Sequence, residues 1–110
     1  MAQYIIYFNQ QWVGNHSAEW FESRGHLARQ VVADMQQAGV LVFAGGLEEE
    51  IDLALGVDET GHITEPIAGD GEFLGGMTIV NVATQAEAEQ WGSKIAIACG
   101  WPQEIRKFKD

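Results

Sequence analysis

The sequence predicts an α+β fold in which a sheet of mostly antiparallel strands carries two helices. Segments rich in β-branched and aromatic residues are separated by two stretches whose apolar residues recur every three or four positions. A glycine follows each of these helical stretches. The predicted order is strand, helix, strand, strand with an inserted hairpin, helix, strand. We expect the whole chain, residues 1–110, to form one domain.

The first strand and the start of the first helix come from local patterns. Residues 4–8 are aromatic or β-branched throughout, which is typical of a central strand. A loop over residues 9–16 follows, and Ser17 is a suitable N-cap for a helical turn over residues 18–23. Two tryptophans, Trp12 and Trp20, lie in this region. They either line a pocket or anchor the loop, and the second role is the more common one.

The stretch from residue 24 to 47 predicts a helix, a turn and a buried strand. One helix face is expected to carry four apolar side chains, those of Leu27, Val31, Met35 and Ala38. Gly39 then fits the position after a helix end, where a left-handed backbone is required. Residues 40–44 have no polar member, so this strand is covered on both faces, or on one face by its own chain and on the other by a partner.

A polar and acidic stretch follows. Three consecutive glutamates, Glu48 to Glu50, predict a solvated turn, and their side chains would not converge on a metal. Residues 52–57 are predicted to form a strand that pairs with residues 62–64 as a hairpin. A loop over residues 65–72 leads to Gly75 and Gly76, and a further strand covers residues 77–82.

The second helix begins at Thr84, an N-cap with Glu87 three residues later to complete a capping box. Gly100 ends the helix, and residues 101–108 form a final strand whose Pro102 suits a strand start or an edge. The predicted inner face of this helix consists of Ala86, Ala88, Trp91, Ile95 and Ala98.

Two split strand–helix–strand halves with both helices on one face give a ferredoxin-like sandwich. The other face of the sheet would be open. Because the strands carry apolar side chains on both sides, we expect a second copy to cover that face and the protein to be a homodimer.

Composition excludes several classes of partner and site. The chain has 16 acidic and six basic residues and a formal net charge of −10, which argues against nucleic acid and anionic membranes as partners. A single cysteine, Cys99, excludes an internal disulfide and a cysteine-based metal site, and its apolar neighbours predict a buried thiol. The sequence shows neither a signal peptide nor a membrane span, so we expect a cytoplasmic protein without metal or cofactor.

Several motifs resemble the YCII-related family, also called DGPF-domain proteins, over almost the full length. The sharpest is RGHLAR at residues 24–29, whose HLAR part is similar to the R-x-x-H-L-A-R helix opening of the YciI-like branch, with Arg24 one position nearer the histidine. The glycines at 39, 45, 75 and 76 and the stretch 84–91 also fall in the family's places. The resemblance implies a dimeric α/β barrel with a pocket at the sheet, a catalytic histidine and an aspartate beside it.

The chain departs from the family at the DGPF motif itself. Residues 64–67 read TEPI, so the proline is kept as Pro66 while Thr64 replaces the aspartate. Glu72 matches the acidic residue that often precedes the Leu-Gly-Gly step. The resemblance therefore carries the catalytic histidine over to His26, but it does not carry over the aspartate.

These residues give a candidate site. His26 points away from the predicted apolar face, towards solvent, an interface or a cleft, and is the candidate acid/base. Asp34 is about 12 Å further along the helix, too far to pair with it, so Asp70 is the candidate carboxylate, with Asp52 behind it. The candidate substrate-binding residues are Arg24, for a carboxylate, together with Trp20 and Glu72.

Three functions stay open at this point. The first is a lyase- or isomerase-like enzyme that acts on a small organic acid through His26. The second is a non-catalytic dimeric module that binds a small ligand or a protein, with His26 as an ordinary exposed histidine. Haem or radical-oxygen chemistry is the weakest, since no histidine is predicted to lie inside a barrel.

Overall fold

The computed structural model describes residues 1–109 and confirms the α+β class: two helices pack on a four-stranded antiparallel sheet, and a small hairpin stands apart. Single 3-10 turns lie at Gln10–Trp12 and Ile51–Leu53. In chain order the main elements are β1 (Ala2–Asn9), α1 (Ala18–Gln37), β2 (Leu41–Gly46), β3 (Gly56–Val57), β4 (Ile63–Thr64), β5 (Leu74–Val82), α2 (Gln85–Cys99) and β6 (Glu104–Lys107).

The four-stranded sheet has the order β2-β5-β1-β6, with β1 and β5 in the middle. Ile5 of β1 lies opposite Ile79 of β5 on one side and opposite Arg106 of β6 on the other. Its neighbours Tyr4 and Ile6 point to the opposite face, where they are buried with Met35 of α1. The core therefore lies between the helices and one sheet face.

Helix α1 is one continuous helix of 20 residues. Its N-cap is Ser17, as predicted, and the Ser17 hydroxyl accepts a hydrogen bond from the backbone N–H of Trp20 at 3.1 Å. The predicted first turn and the predicted longer helix are thus parts of the same element. The prediction for Gly39 is confirmed as well, since it follows the helix with a φ of 74°.

The inner face of α1 differs from the prediction. Met35 is fully buried, but Leu27 is 49% exposed. Ala28 and Val32 pack against the core beside Val31 and Met35. The buried face is therefore centred on the 28/32/35 side of the helix, because the sheet meets α1 there, and Leu27 lies at its rim.

Helix α2 follows its predicted limits. The Thr84 hydroxyl accepts from the backbone N–H of Glu87 at 3.2 Å, and Gly100 ends the helix in the left-handed conformation with a φ of 88°. Its inner face again differs in part, since Ala86 is exposed while Gly92 is buried. Gly92 lies so close to Ile105 of β6 that a side chain there would collide with it.

Strand β2 is an edge strand, covered on one face by its own chain. Val42 and Phe43 are 49% and 54% exposed. The chain itself therefore covers only one face of this strand and leaves the other face open. Val42 is an extra residue between Leu41, opposite Val80, and Phe43, opposite Ile79. The strand therefore carries a bulge at this point.

The segment between β2 and β5 projects from the rest of the molecule. The prediction of a strand over residues 52–57 is wrong, because a 3-10 turn occupies Ile51–Leu53 and the strand found here covers only Gly56–Val57. The predicted hairpin is confirmed, because β3 pairs with β4. A two-stranded ribbon with no third strand stays short. The radius of gyration, 15.3 Å, exceeds the roughly 13 Å of a compact domain of this size.

Candidate functional site

A cavity of about 530 Å³ lies between the sheet and both helices, and we call it the helix–sheet cavity. Its walls are mostly apolar and include Phe8, Ala28, Val32, Ala33, Ala44, Met77, Ile95 and Cys99. Four polar side chains also line it, those of Arg29, Gln36, Thr78 and Gln103. The lining, all within residues 1–109, thus contains one cation and no acid.

A second cleft of about 660 Å³, the aromatic cleft, lies next to the first. Phe8 and Gly46 line both, so the two spaces adjoin at the ends of β1 and β2. Gly75 completes this wall: a side chain at that position would collide with the ring of Phe8. The predicted close approach at the mouth of β5 is confirmed here. The other lining residues include His16, Phe21, Trp101 and Glu49.

His16 is a site residue that the sequence pattern does not single out. It ends the loop predicted over residues 9–16, and its ring stacks on Trp20 with centroids 3.6 Å apart, while Phe21 meets it edge-on at 5.7 Å. Its Nε2 donates to the carbonyl oxygen of Val13 at 2.9 Å. The sequence feature that indicates this packing is the position of His16 just before the N-cap, where a side chain often packs on the first helical turn.

The structure brings two predicted residues, Arg24 and Trp20, together. The guanidinium carbon of Arg24 lies 5.3 Å from the centroid of the Trp20 ring, and Nη1 donates to the carbonyl oxygen of Ile97 at 3.1 Å. Arg24 therefore links α1 to α2 and lines neither cavity. The cation on the helix–sheet cavity is Arg29, one turn and a half further along α1.

His26, the predicted acid/base, is exposed and lines neither cavity. Its Nδ1 lies 3.1 Å from Nη2 of Arg29. Because a guanidinium can only donate, Nδ1 is the acceptor in this contact. His26 is thus off the core, as predicted, and is connected to the helix–sheet cavity through Arg29.

Asp70 and Glu72 lie on the loop before β5. Glu72 accepts hydrogen bonds from Asn9 Nδ2 at 3.2 Å and from Trp12 Nε1 at 3.3 Å, so it fixes the loop to the turn after β1. Trp12 thereby takes the anchoring role. Asp70 is exposed, and no hydrogen bond within residues 1–109 joins it to His26.

Two buried donors have no hydrogen-bond partner among the described residues, Trp101 Nε1 and Gln103 Nε2. Trp101 lines the aromatic cleft, and Gln103 lines the helix–sheet cavity. Buried N–H groups nearly always have an acceptor in folded proteins. These two positions therefore favour a ligand oxygen in the adjoining spaces.

Cys99 also lines the helix–sheet cavity. Burial raises the pKa of its thiol to about 11, so the sulfur is a neutral, apolar wall group at neutral pH. Within residues 1–109 no three of the His, Cys, Asp and Glu side chains form a group suited to a metal. Neither described helix has the length and apolar character to cross a membrane.

The comparisons with known proteins assign the chain to no family. It matches no known protein family and no curated protein. What the site can do follows from its geometry: an apolar cavity between helices and sheet, one arginine in its wall, and two buried donors that lack an acceptor.

Proposed function

We propose that the protein binds a small apolar organic acid in the helix–sheet cavity, with Arg29 holding the carboxylate. One observation carries this proposal, the presence of a single cation and no acid in an otherwise apolar lining. The volume of about 530 Å³ falls within the range of roughly 300 to 1,000 Å³ that small-molecule sites occupy.

The charge of the protein makes Arg29 decisive for such a ligand. A chain with a formal net charge of −10 repels anions in general. A guanidinium beside apolar walls offsets this repulsion locally, because it binds a carboxylate with two parallel hydrogen bonds. The unpartnered Gln103 Nε2 and the buried Thr78 hydroxyl are suited to a further ligand oxygen.

The proposal also assigns the chain to a type of α+β fold and to a family. The strand order β2-β5-β1-β6 with both helices on one face supports a ferredoxin-like sandwich of the YCII-related kind. Half-buried Ile5, Tyr7 and Ile79 lie on the open face beside exposed Phe43, and they support a homodimer that closes into an α/β barrel. A cytoplasmic location belongs to the same proposal, and a lone buried cysteine is compatible with it.

Catalysis in this proposal is proton transfer by His26, as in a lyase or isomerase. The contact between His26 and Arg29 supports it, since a carboxylate held by Arg29 would lie near the imidazole. When Arg29 turns to the carboxylate, the lone pair of His26 Nδ1 is released and can take the proton. The second candidate is binding without chemistry. It is favoured by the absence of both His26 and Asp70 from the lining of the two cavities.

Calorimetric titration with benzoate tests the binding step. The wild type should bind benzoate and should not bind benzamide, its neutral analogue, because only the carboxylate pairs with Arg29. Arg29→Met should lower the benzoate affinity at least tenfold, whereas Lys94→Met, which removes an exposed cation from α2 outside the cavity lining, should leave it unchanged. Equal affinity of Arg29→Met and wild type for benzoate would refute the proposal.

A proton-exchange measurement separates the two candidates. Phenylacetate in D₂O exchanges its α-protons only if a base removes them, and NMR follows the loss of that signal. Exchange that is catalysed by the wild type and abolished in His26→Ala, with binding retained, would establish the acid/base function. Binding without exchange in the wild type would favour the non-catalytic module.

A further inference from the structure

The segment from Leu47 to Glu72, which we call the arm, exposes an unusual amount of apolar surface. Its exposed large side chains are Leu47 at 50%, Leu53 at 67%, Leu55 at 74%, Val57 at 54%, Ile63 at 64% and Ile67 at 80%. Single exposed apolar residues are common, but a run of six on one projecting segment is typical of an interaction surface.

The arm is also strongly acidic. It carries nine of the 16 acidic residues of the chain and no lysine or arginine. The nine are Glu48, Glu49, Glu50, Asp52, Asp58, Glu59, Glu65, Asp70 and Glu72. A surface that combines apolar side chains with one sign of charge fits a partner surface that is apolar and basic.

Such a surface lies at the other edge of the sheet. A groove of about 440 Å³ beside β6, the β6 groove, has Ile5, Tyr7, Leu74 and Phe108 as apolar walls. Its remaining lining residues are Arg106, Lys107 and Lys109, three of the six cations of the chain. Within residues 1–109 no acid lines this groove.

The arm and the β6 groove do not cover each other within one chain. The six apolar residues of the arm are at least half exposed, and Phe108 in the groove is 42% exposed. The arm leaves the sheet from β2, whereas the groove lies beside β6, the opposite edge strand. A second copy can bring the two surfaces together, and two-fold symmetry would form the contact twice.

We propose that the arm of one copy docks into the β6 groove of a second copy. The inference rests on the homodimer proposed above and adds to it a contact at the β6 margin of the same sheet face, where Ile5 and Tyr7 border β6. In this arrangement the apolar side chains of the arm lie on the Ile5, Tyr7 and Phe108 walls. The arm's carboxylates then face Arg106, Lys107 and Lys109.

Zero-length carbodiimide cross-linking of mixed isotopes tests this contact. Unlabelled and ¹⁵N-labelled protein are mixed, left to exchange, cross-linked and digested, and sedimentation gives the oligomeric state of the same sample. We expect peptides that join an arm carboxylate of one isotope to Lys107 or Lys109 of the other. A dimer without such mixed links would overturn this inference alone. A monomer at all concentrations would overturn the dimer proposal as well.

A matched pair of charge reversals gives a second readout. Lys109→Glu should raise the dimer dissociation constant about fivefold, and added salt should weaken the wild-type dimer. Lys94→Glu makes the same change of net charge on α2, where Lys94 lies over the ring of Trp91, and should leave the constant unchanged. Equal effects of the two substitutions would contradict the proposed contact.

Discussion

The ring of His16 stacks on the indole of Trp20 with centroids 3.6 Å apart and planes 14° from parallel. Trp20 in turn contacts Trp101, which follows α2, at 6.1 Å. The stack therefore joins the loop before α1, the first turn of that helix and the end of α2. His16 and Trp101 of this group line the aromatic cleft.

Trp20→Ala should lower the free energy of unfolding by about 3 kcal/mol, since it removes a large, partly buried ring with several aromatic contacts. Urea unfolding followed by circular dichroism measures this loss. Glu19→Ala, on the neighbouring exposed position, should change it by less than about 0.5 kcal/mol. A similarly small loss for Trp20→Ala would show that the stack adds nothing to stability.

Gly100→Ala and Gly39→Ala form a matched pair at the two helix ends. Both glycines have positive φ, 88° and 74°, so alanine should cost about 1 kcal/mol at each. An added Cβ at Gly100 would also collide with Trp20, whereas nothing lies within 4 Å of one at Gly39. Thermal unfolding should therefore show the larger loss for Gly100→Ala, and the reverse order would contradict the packing of Trp20 against this glycine.

Met35→Ala and Leu27→Ala test the orientation of α1. Met35 is fully buried while Leu27 is 49% exposed, so we expect losses of about 3 kcal/mol and less than about 1 kcal/mol respectively. Urea unfolding measures both losses of unfolding free energy, and so shows whether the observed face or the face predicted from the sequence is the buried one. A comparable loss at Leu27 in the isolated chain would favour that predicted face.

Asp58 makes the turn between β3 and β4 sensitive to acid. Hydrogen bonds from the Thr60 hydroxyl and from the backbone N–H groups of His62 and Thr60 hold the pKa of its carboxyl below its ordinary value of 3.8. A lowered pKa means that the carboxylate stabilises the turn above pH 3.8 and that this contribution is lost as the pH falls through the folded-state pKa.

NMR titration of the Thr60 and His62 amides measures this effect. Both signals should shift together with one midpoint below pH 3.8, and Asp58→Asn should abolish the shared transition. Independent midpoints for the two amides would show that Asp58 does not hold them both.

Cys99 should respond to alkali and to thiol reagents as a buried group. Its pKa is raised to about 11 from an ordinary 9.0, so its contribution to stability is complete below pH 9.0 and is lost as the pH approaches 11. Unfolding measured at pH 8 and pH 10.5 should show a smaller alkaline loss for Cys99→Ala than for the wild type. In addition, iodoacetamide at pH 8 should label the native protein much more slowly than the unfolded one.

The helix ends and the hairpin could be predicted from the sequence because they depend on local chemistry. Ser17, Thr84, Gly39 and Gly100 cap their helices through their own backbone and side-chain geometry, and that preference is local. The buried face of α1 differs from the predicted one, because whether Leu27 or Ala28 is buried depends on where the sheet meets the helix. That position is a property of the whole fold.

The candidate site was harder to predict for the same reason. Arg24 and Arg29 have the same chemistry and lie on one helix, but only Arg29 reaches the helix–sheet cavity. Arg24 is engaged by a carbonyl oxygen of α2, 73 residues away in the chain. His16 carried only a weak local signal, and its stack on Trp20 depends on how the preceding loop turns back at Val13.

The two edge strands of the sheet are built in a way that hinders the addition of further strands from other chains. A long, flat outer strand offers its free N–H and C=O groups to any passing extended chain and so seeds fibres. Here one outer strand, β2, is interrupted by the extra residue Val42, and the other, β6, is only four residues long and carries Arg106 and Lys107. Neither edge is a regular template for a further strand, so the sheet stops at four strands.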